Sequence, residues 1–279
     1  MTSKTELLQQ QRAWSLHTAR AVDERGYVFA LRDNLFQPLS TLARDAFSRG
    51  NGSELQDVRT RPSKMKALHS SAALAVNVFD YWIQRDSRPL LTALGLHAGS
   101  ASMEFEAQFP TGLNGNPPNL DLAFRFDDGE VVGIESKFTE WLTPKAPGKE
   151  LFKPKYFADK SQIWAERRLP NCQSLAEALH IGEVGFRYLD AAQLLKHTLG
   201  LATQHPGNVM LYYIYFDWHG PESIVHTEEI ERFALTVRQD IPFHHCTYQE
   251  VYRRLVDGIG NEHSEYLEYL SRRYFPNAT

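Results

Sequence analysis

The chain has 279 residues, 42% of them hydrophobic and 23% charged, with a formal net charge of −4; this is a globular composition with ample core material, which excludes a disordered or fibrous protein. The acidic balance argues against a protein that coats nucleic acid indiscriminately, although it leaves room for a local basic groove. Cys172 and Cys246 stand in no disulfide or zinc spacing, no apolar run reaches membrane length, and residues 1–12 lack the apolar stretch of a signal peptide, so a cytoplasmic protein with no membrane partner is expected.

The first hundred residues carry helical periodicity at 5–22, 39–48, 70–84 and 88–96, and are expected to form a helical elaboration, 1–100, packed on a core of 101–279. From Ser102 the pattern changes to period two in MEFEAQF, NLDLAFRF and EVVGIESKF, as in strands with one covered face. A Lys- and Pro-rich connection follows at 143–156. Helical signals return at 159–168, 175–180 and 186–204, then an apolar run at 209–218 suits a central strand. A helix at 227–239, a short strand at 243–247 and a helix at 248–257 follow. The fold class is α/β, a mixed sheet flanked by helices.

The segment NLDLAFRFDDGEVVGIESKF, 119–138, reads as a hairpin whose loop, Asp127-Asp128-Gly129, suits a type I turn closed by a left-handed glycine. That loop pairs Phe126 with Glu130, and counting outward sets Asp121 opposite Glu135. Alternation puts Asp121, Ala123, Arg125, Gly133, Glu135 and Lys137 on one face, with Leu122, Phe124, Phe126, Val132, Ile134 and Phe138 on the other. Opposed like charges destabilise a sheet unless something positive lies between them. A divalent cation meets that need, because Mg²⁺ takes one or two carboxylates and fills its other positions with water and phosphate oxygens. A surface cluster neutralised by Lys137 is the competing explanation. Small Gly133 and Ala123, which leave space beside the acids, and the apolar flanks favour a site.

Asp121 followed by Glu135-Ser136-Lys137 resembles the PD-(D/E)XK nuclease superfamily. The resemblance, which covers about 104–218, implies a restriction-endonuclease-like fold and a Mg²⁺ or Mn²⁺ ion held by Asp121, Glu135 and the carbonyl of Ser136. It also implies that Lys137 orients or activates the attacking water. It further implies an upstream acid, Glu106 with Glu104 as rival, and a polar residue on the next helix, Gln193. Leu120 replaces the proline of the motif's name, a frequent departure. The string LHSSAALAVNVF at 68–79 is also similar to microbial members of that superfamily.

Other features have plainer explanations beside the chemical one. His197, one turn beyond Gln193, could touch a phosphate or simply pack. His244, His245 and Cys246 point alternately to opposite faces of a strand and cannot converge on one ion. Ser70, next to His69, suits a helix N-cap better than a nucleophile. Two stretches are basic: 143–168, where Lys145, Lys149, Lys153, Lys155, Lys160, Arg167 and Arg168 outnumber the acids, and 55–66, with Arg59, Arg61, Lys64 and Lys66. Lys149, Lys153 and Lys155 are the expected nucleic-acid contacts, since connectivity carries them just beyond Lys137. Phe152, Tyr156 and Phe157 could stack on bases or anchor the loop. The expected function is a metal-dependent nuclease acting on DNA, endonucleolytic by preference. Its alternatives are a catalytically silent nucleic-acid-binding module and a structural protein with an acidic hairpin. The oligomeric state stays open, a homodimer included.

Overall fold

The computed structural model describes residues 2–50, 53–146, 150–158 and 161–276. Helices α1 (Ser3–His17), α2 (Thr41–Arg49) and α3 (Ser71–Phe79) each open on a hydroxyl residue, Thr2, Ser40 and Ser70, whose side chain accepts from an amide of the first turn. Such amides have no partner inside the helix, which is why these residues start helices here. Ser70 Oγ accepts from the Ala73 amide at 3.1 Å, the capping role expected of it. Helix α1 stops earlier than its periodicity suggested, and the chain folds back through a bridge between Val22 and Val28. Helix α4 (Arg88–Leu94) ends on Gly95 in the left-handed region.

Strands β1 (Ala101–Gln108), β2 (Asn119–Phe126), β3 (Val131–Lys137), β4 (Val209–Tyr215) and β5 (Phe243–Thr247) form one sheet in the order β1-β2-β3-β4-β5. The β1–β2 and β2–β3 pairs are antiparallel; β3–β4 and β4–β5 are parallel. Parallel neighbours need long crossovers, supplied by α5 (Pro170–Ile181) and α6 (Ala191–Gln204) before β4 and by α7 (Pro221–Val237) before β5. Leu211, Tyr212, Tyr213 and Ile214 of β4 are all buried, as a strand covered on both faces requires. Helix α8 (Tyr248–Gly258) follows β5 directly on a capping box at Thr247 and Glu250.

Other expectations change as well. At 159–168 the described residues form only a short 3₁₀ turn, Ala165–Arg167, because Arg168 turns left-handed (φ 64°) and Pro170 begins α5. Beyond the last expected element lies α9 (Ser264–Tyr274), whose Tyr266, Leu270 and Tyr274, four residues apart, are buried against the rest of the molecule.

The sheet is covered on both sides. On one, Phe79 of α3 meets Phe124 of β2 and Tyr248 of α8, with ring centroids 6.5 and 6.4 Å apart. On the other lie α6 and α7, where Tyr213 of β4 meets His226 of α7 with 3.0 Å between the hydroxyl and Nε2. Gly133 lets α6 settle onto β3: a Cβ there would stand 2.5 Å from a methyl of Leu120 and 3.1 Å from a methyl of Leu201. The space expected beside the acids at Gly133 is therefore filled by Leu120 of β2 and Leu201 of α6. One cluster of buried residues runs from Leu7 to Phe275. Among the described residues no helix is long and apolar enough to cross a membrane.

Candidate active site

The hairpin turns as its residues dictate. The Phe126 amide donates to the Glu130 carbonyl at 2.9 Å, and Gly129 takes φ 91°, a conformation that costs other residues strain. Paired register runs from Arg125 with Val131 to Leu122 with Ile134 and then stops. Asp121 and Glu135 would be the next pair. Instead of a strand carbonyl, Asp121 Oδ2 accepts the Ser136 amide, at 2.7 Å. The strands part at the acids, and a carboxylate satisfies the backbone donor thus exposed.

Helix α6 supplies the opposite wall. Its start is fixed by Asp190, whose carboxylate accepts from the Gln193 amide at 3.0 Å and from Lys145 at 2.6 Å. Four residues of helix rise roughly 6.0 Å and two residues of strand roughly 6.6 Å, so residues four apart on α6 can face residues two apart on β3. Gln193 Oε1 accepts from Lys137 Nζ at 3.2 Å, His197 Nε2 stands 3.0 Å from Glu135 Oε2, and Leu201 caps Gly133. The helix runs antiparallel to the strand, and the three contacts fall in step.

Glu135 is only 1% exposed. Its Oε1 is bonded by Lys137 Nζ, whereas Oε2 and His197 Nε2, although close, are set too obliquely for a hydrogen bond and have no such partner among the described residues. Burial pushes the Glu135 carboxyl up, but Lys137 and His197 outweigh it and hold the group below the usual carboxylate range. Half-buried Asp121 behaves oppositely: burial and the Glu135 charge push it well above that range. Burial would lower the Lys137 ammonium, yet Glu135 and Asp121 overcome it and raise it. Opposed shifts of neighbouring acids around a lysine are common at functional sites and in structural ion-pair networks alike.

Ser136 is buried, its hydroxyl 2.7 Å from the Tyr248 hydroxyl. Of the two upstream acids, Glu104 pairs with Arg125 at 2.9 Å, toward the turn and in solvent. Glu106 is half-buried and accepts from Asn119 at 2.9 Å; Asp121 feels its charge, and it feels that of Glu135. Glu106 stands at φ 50° within β1, in the left-handed region that is uncommon for glutamate. Beside it lie Glu54 and Lys64, 3.3 Å apart, from the segment after α2. Neither was singled out individually in the sequence; Lys64 stood only within the basic stretch 55–66.

Lys149 lies outside the described residues. Lys153 is exposed, and Lys155 bonds the Asn114 carbonyl and lies over the Tyr156 ring. Phe152 and Tyr156 are buried against Trp164, and Phe157 is also in ring contact with Trp164, so these aromatics anchor the connection. His244 and His245 of β5 lie toward solvent while Cys246 is buried, and Cys172 and Cys246 are both unbridged.

A divalent cation fits these residues. The repulsion that Asp121 feels from Glu135 calls for positive charge, Glu135 Oε2 lacks an aligned hydrogen bond, and the available carboxylates and carbonyls are hard oxygen donors. Among the described residues no three His, Cys, Asp or Glu side chains form a closed cage. Any ion here would keep positions for water and phosphate, as Mg²⁺ does.

A mixed sheet with helices on both faces, and acids and a lysine where a hairpin opens, defines a restriction-endonuclease-like fold. The model of the family "Restriction Endonuclease associating with ARP" matches residues 6–275, and the chain belongs to that family. No curated protein and no solved structure matches it.

Proposed function

We propose that the protein is a divalent-metal-dependent endonuclease that hydrolyses DNA phosphodiesters. The observation that carries this reading is the convergence of Asp121, Glu135, Lys137 and Gln193 from three elements at the point where the β2–β3 ladder ends. Asp121, Glu135 and the Ser136 carbonyl would hold Mg²⁺ or Mn²⁺, which supplies a polarised phosphate and a more acidic water. Lys137, kept charged by the two acids, orients that water and stabilises charge developing on the phosphate oxygens. Gln193 fixes the lysine head. His197 is a positioning residue that confines the Glu135 carboxylate from behind. Glu106, coupled by charge to both acids, is the upstream member of the set.

The test is incubation of the purified chain with supercoiled plasmid and with single-stranded DNA, with Mn²⁺ or Mg²⁺ and with chelator. Metal-dependent nicking that Glu135→Ala abolishes is expected. Binding without cleavage would leave a silent nucleic-acid-binding module, and neither binding nor metal uptake would leave a structural protein with an acidic hairpin.

A further inference from the structure

A cleft of about 400 Å³ opens where β3 ends, a size within the range of ligand sites. One wall is Thr139 and Glu140, just past Lys137; the other is Glu54, Arg61 and Lys64, with Lys4 completing the rim. The cleft adjoins the catalytic group through the chain itself, since Thr139 and Glu140 lie within three residues of Lys137. Glu140 accepts the Phe138 amide at 2.8 Å and its charge reaches Lys137, while Glu54 and Lys64 act on Glu106. A strand lying in the cleft therefore runs beside the end of β3 that carries Glu135 and Lys137.

The cations along it are held loosely. Lys64 faces Glu54 at 3.3 Å, and Lys4 donates to the neutral hydroxyl of Thr143 at 2.8 Å. The half-buried Arg61 side chain makes no hydrogen bond or ion pair among the described residues, although a guanidinium has five donors suited to phosphate oxygens. Two carboxylates of the lining, Glu54 and Glu140, oppose these cations, and burial shifts the Glu54 carboxyl upward. By contrast, Lys155 of the other basic stretch is already committed to the Asn114 carbonyl.

We propose that this cleft seats the sugar-phosphate backbone of the DNA strand next to the scissile phosphate, gripped by Arg61, Lys64 and Lys4 from the N-terminal part of the chain. This rests on the nuclease reading. It makes the residues before β1 part of the substrate track and moves that track away from Lys153 and Lys155.

The experiment measures binding of a short labelled duplex, and of its single strand, to the full chain carrying Glu135→Gln, in chelator and across a salt series. Arg61→Met with Lys64→Met should weaken binding and flatten the salt dependence by about 0.9 for each phosphate no longer neutralised on the duplex, or about 0.7 on the single strand. Lys153→Met with Lys155→Met should leave the slope unchanged. Glu54→Gln should tighten binding about threefold, a direction that loss of folding cannot mimic. An unchanged slope in the Arg61/Lys64 variant, or loss of slope in the Lys153/Lys155 variant with no tightening in Glu54→Gln, overturns the proposal. Metal-dependent cleavage by the unaltered chain is scored separately. A chain that cuts DNA without the Arg61/Lys64 response loses only the cleft, and one that neither cuts nor binds loses both readings.

Discussion

At its turn end the β2–β3 hairpin does what its pattern asks. The ladder is complete from Leu122–Ile134 to the loop, and Gly129 closes the turn. At its open end the same two strands part, a carboxylate replaces a strand carbonyl, and Glu135, Asp121 and Lys137 crowd together under α6. The apolar end makes the hairpin form; the polar end carries repulsion between acids that the rest of the molecule must contain. On the proposed nuclease reading, folding strength and chemistry are divided along some twenty residues of one element, and changes at the two ends should have separable effects.

The largest effect is expected at the open end. Glu135→Ala and Lys137→Ala should each lower plasmid cleavage by about 10²–10³-fold or more, with circular dichroism unchanged. Full activity in either variant would put the chemistry elsewhere. Next comes the helix that confines the acid: His197→Ala should weaken Mn²⁺ binding, read by direct titration, by about 10–100-fold. His197→Asn should recover part of it, whereas a purely structural role would lower stability and leave metal affinity alone.

The turn end should answer in stability only. Gly129→Ala places a Cβ on a residue at φ 91° and should cost about 1–2 kcal/mol in denaturant unfolding, with the cleavage rate per folded molecule retained. The smallest effect has the opposite sign. Because the Asp121 carboxyl is raised in the folded state, that state binds the proton more tightly than the unfolded chain does. Its contribution is present below the ordinary aspartate value near about 3.9 and is lost as pH rises through the higher folded value. Asp121→Asn should therefore raise the Tm of the metal-free protein at neutral pH by about 2–4 °C, with no gain at pH below the carboxylate range. A fall in Tm at neutral pH would mean that the hydrogen bond from Ser136 outweighs the repulsion.

The hairpin and its faces were legible in sequence because strand alternation and a turn glycine are local signals. Gln193 was reached through the resemblance alone, since its partner Lys137 is distant in sequence. His197 was legible as lying on the same helix face, but not its approach to Glu135, which depends on how far α6 descends over Gly133. Glu106 in a left-handed conformation had no sequence sign at all, since residues other than glycine are uncommon there. The aromatic residues of 152–157 looked equally suited to bases or core, and only the position of Trp164 decides for the core. Glu54 and Lys64 reach the acids through the docking of the segment after α2, which no local pattern encodes.

The antiparallel match between α6 and β3 also sets a limit. Each four-residue step along a helix turns the side chain by roughly 40° beyond a full circle, while each two-residue step along a strand returns it to the same direction. With His197 facing the sheet squarely, Gln193 and Leu201 lean to either side, and a fourth position would look past the strand. One helix can therefore attend to only about three alternate residues of one strand, here spanning Gly133 to Lys137. Any further group at the site must arrive on another element, which is where Glu106 of β1 and Lys64 of the segment after α2 are found.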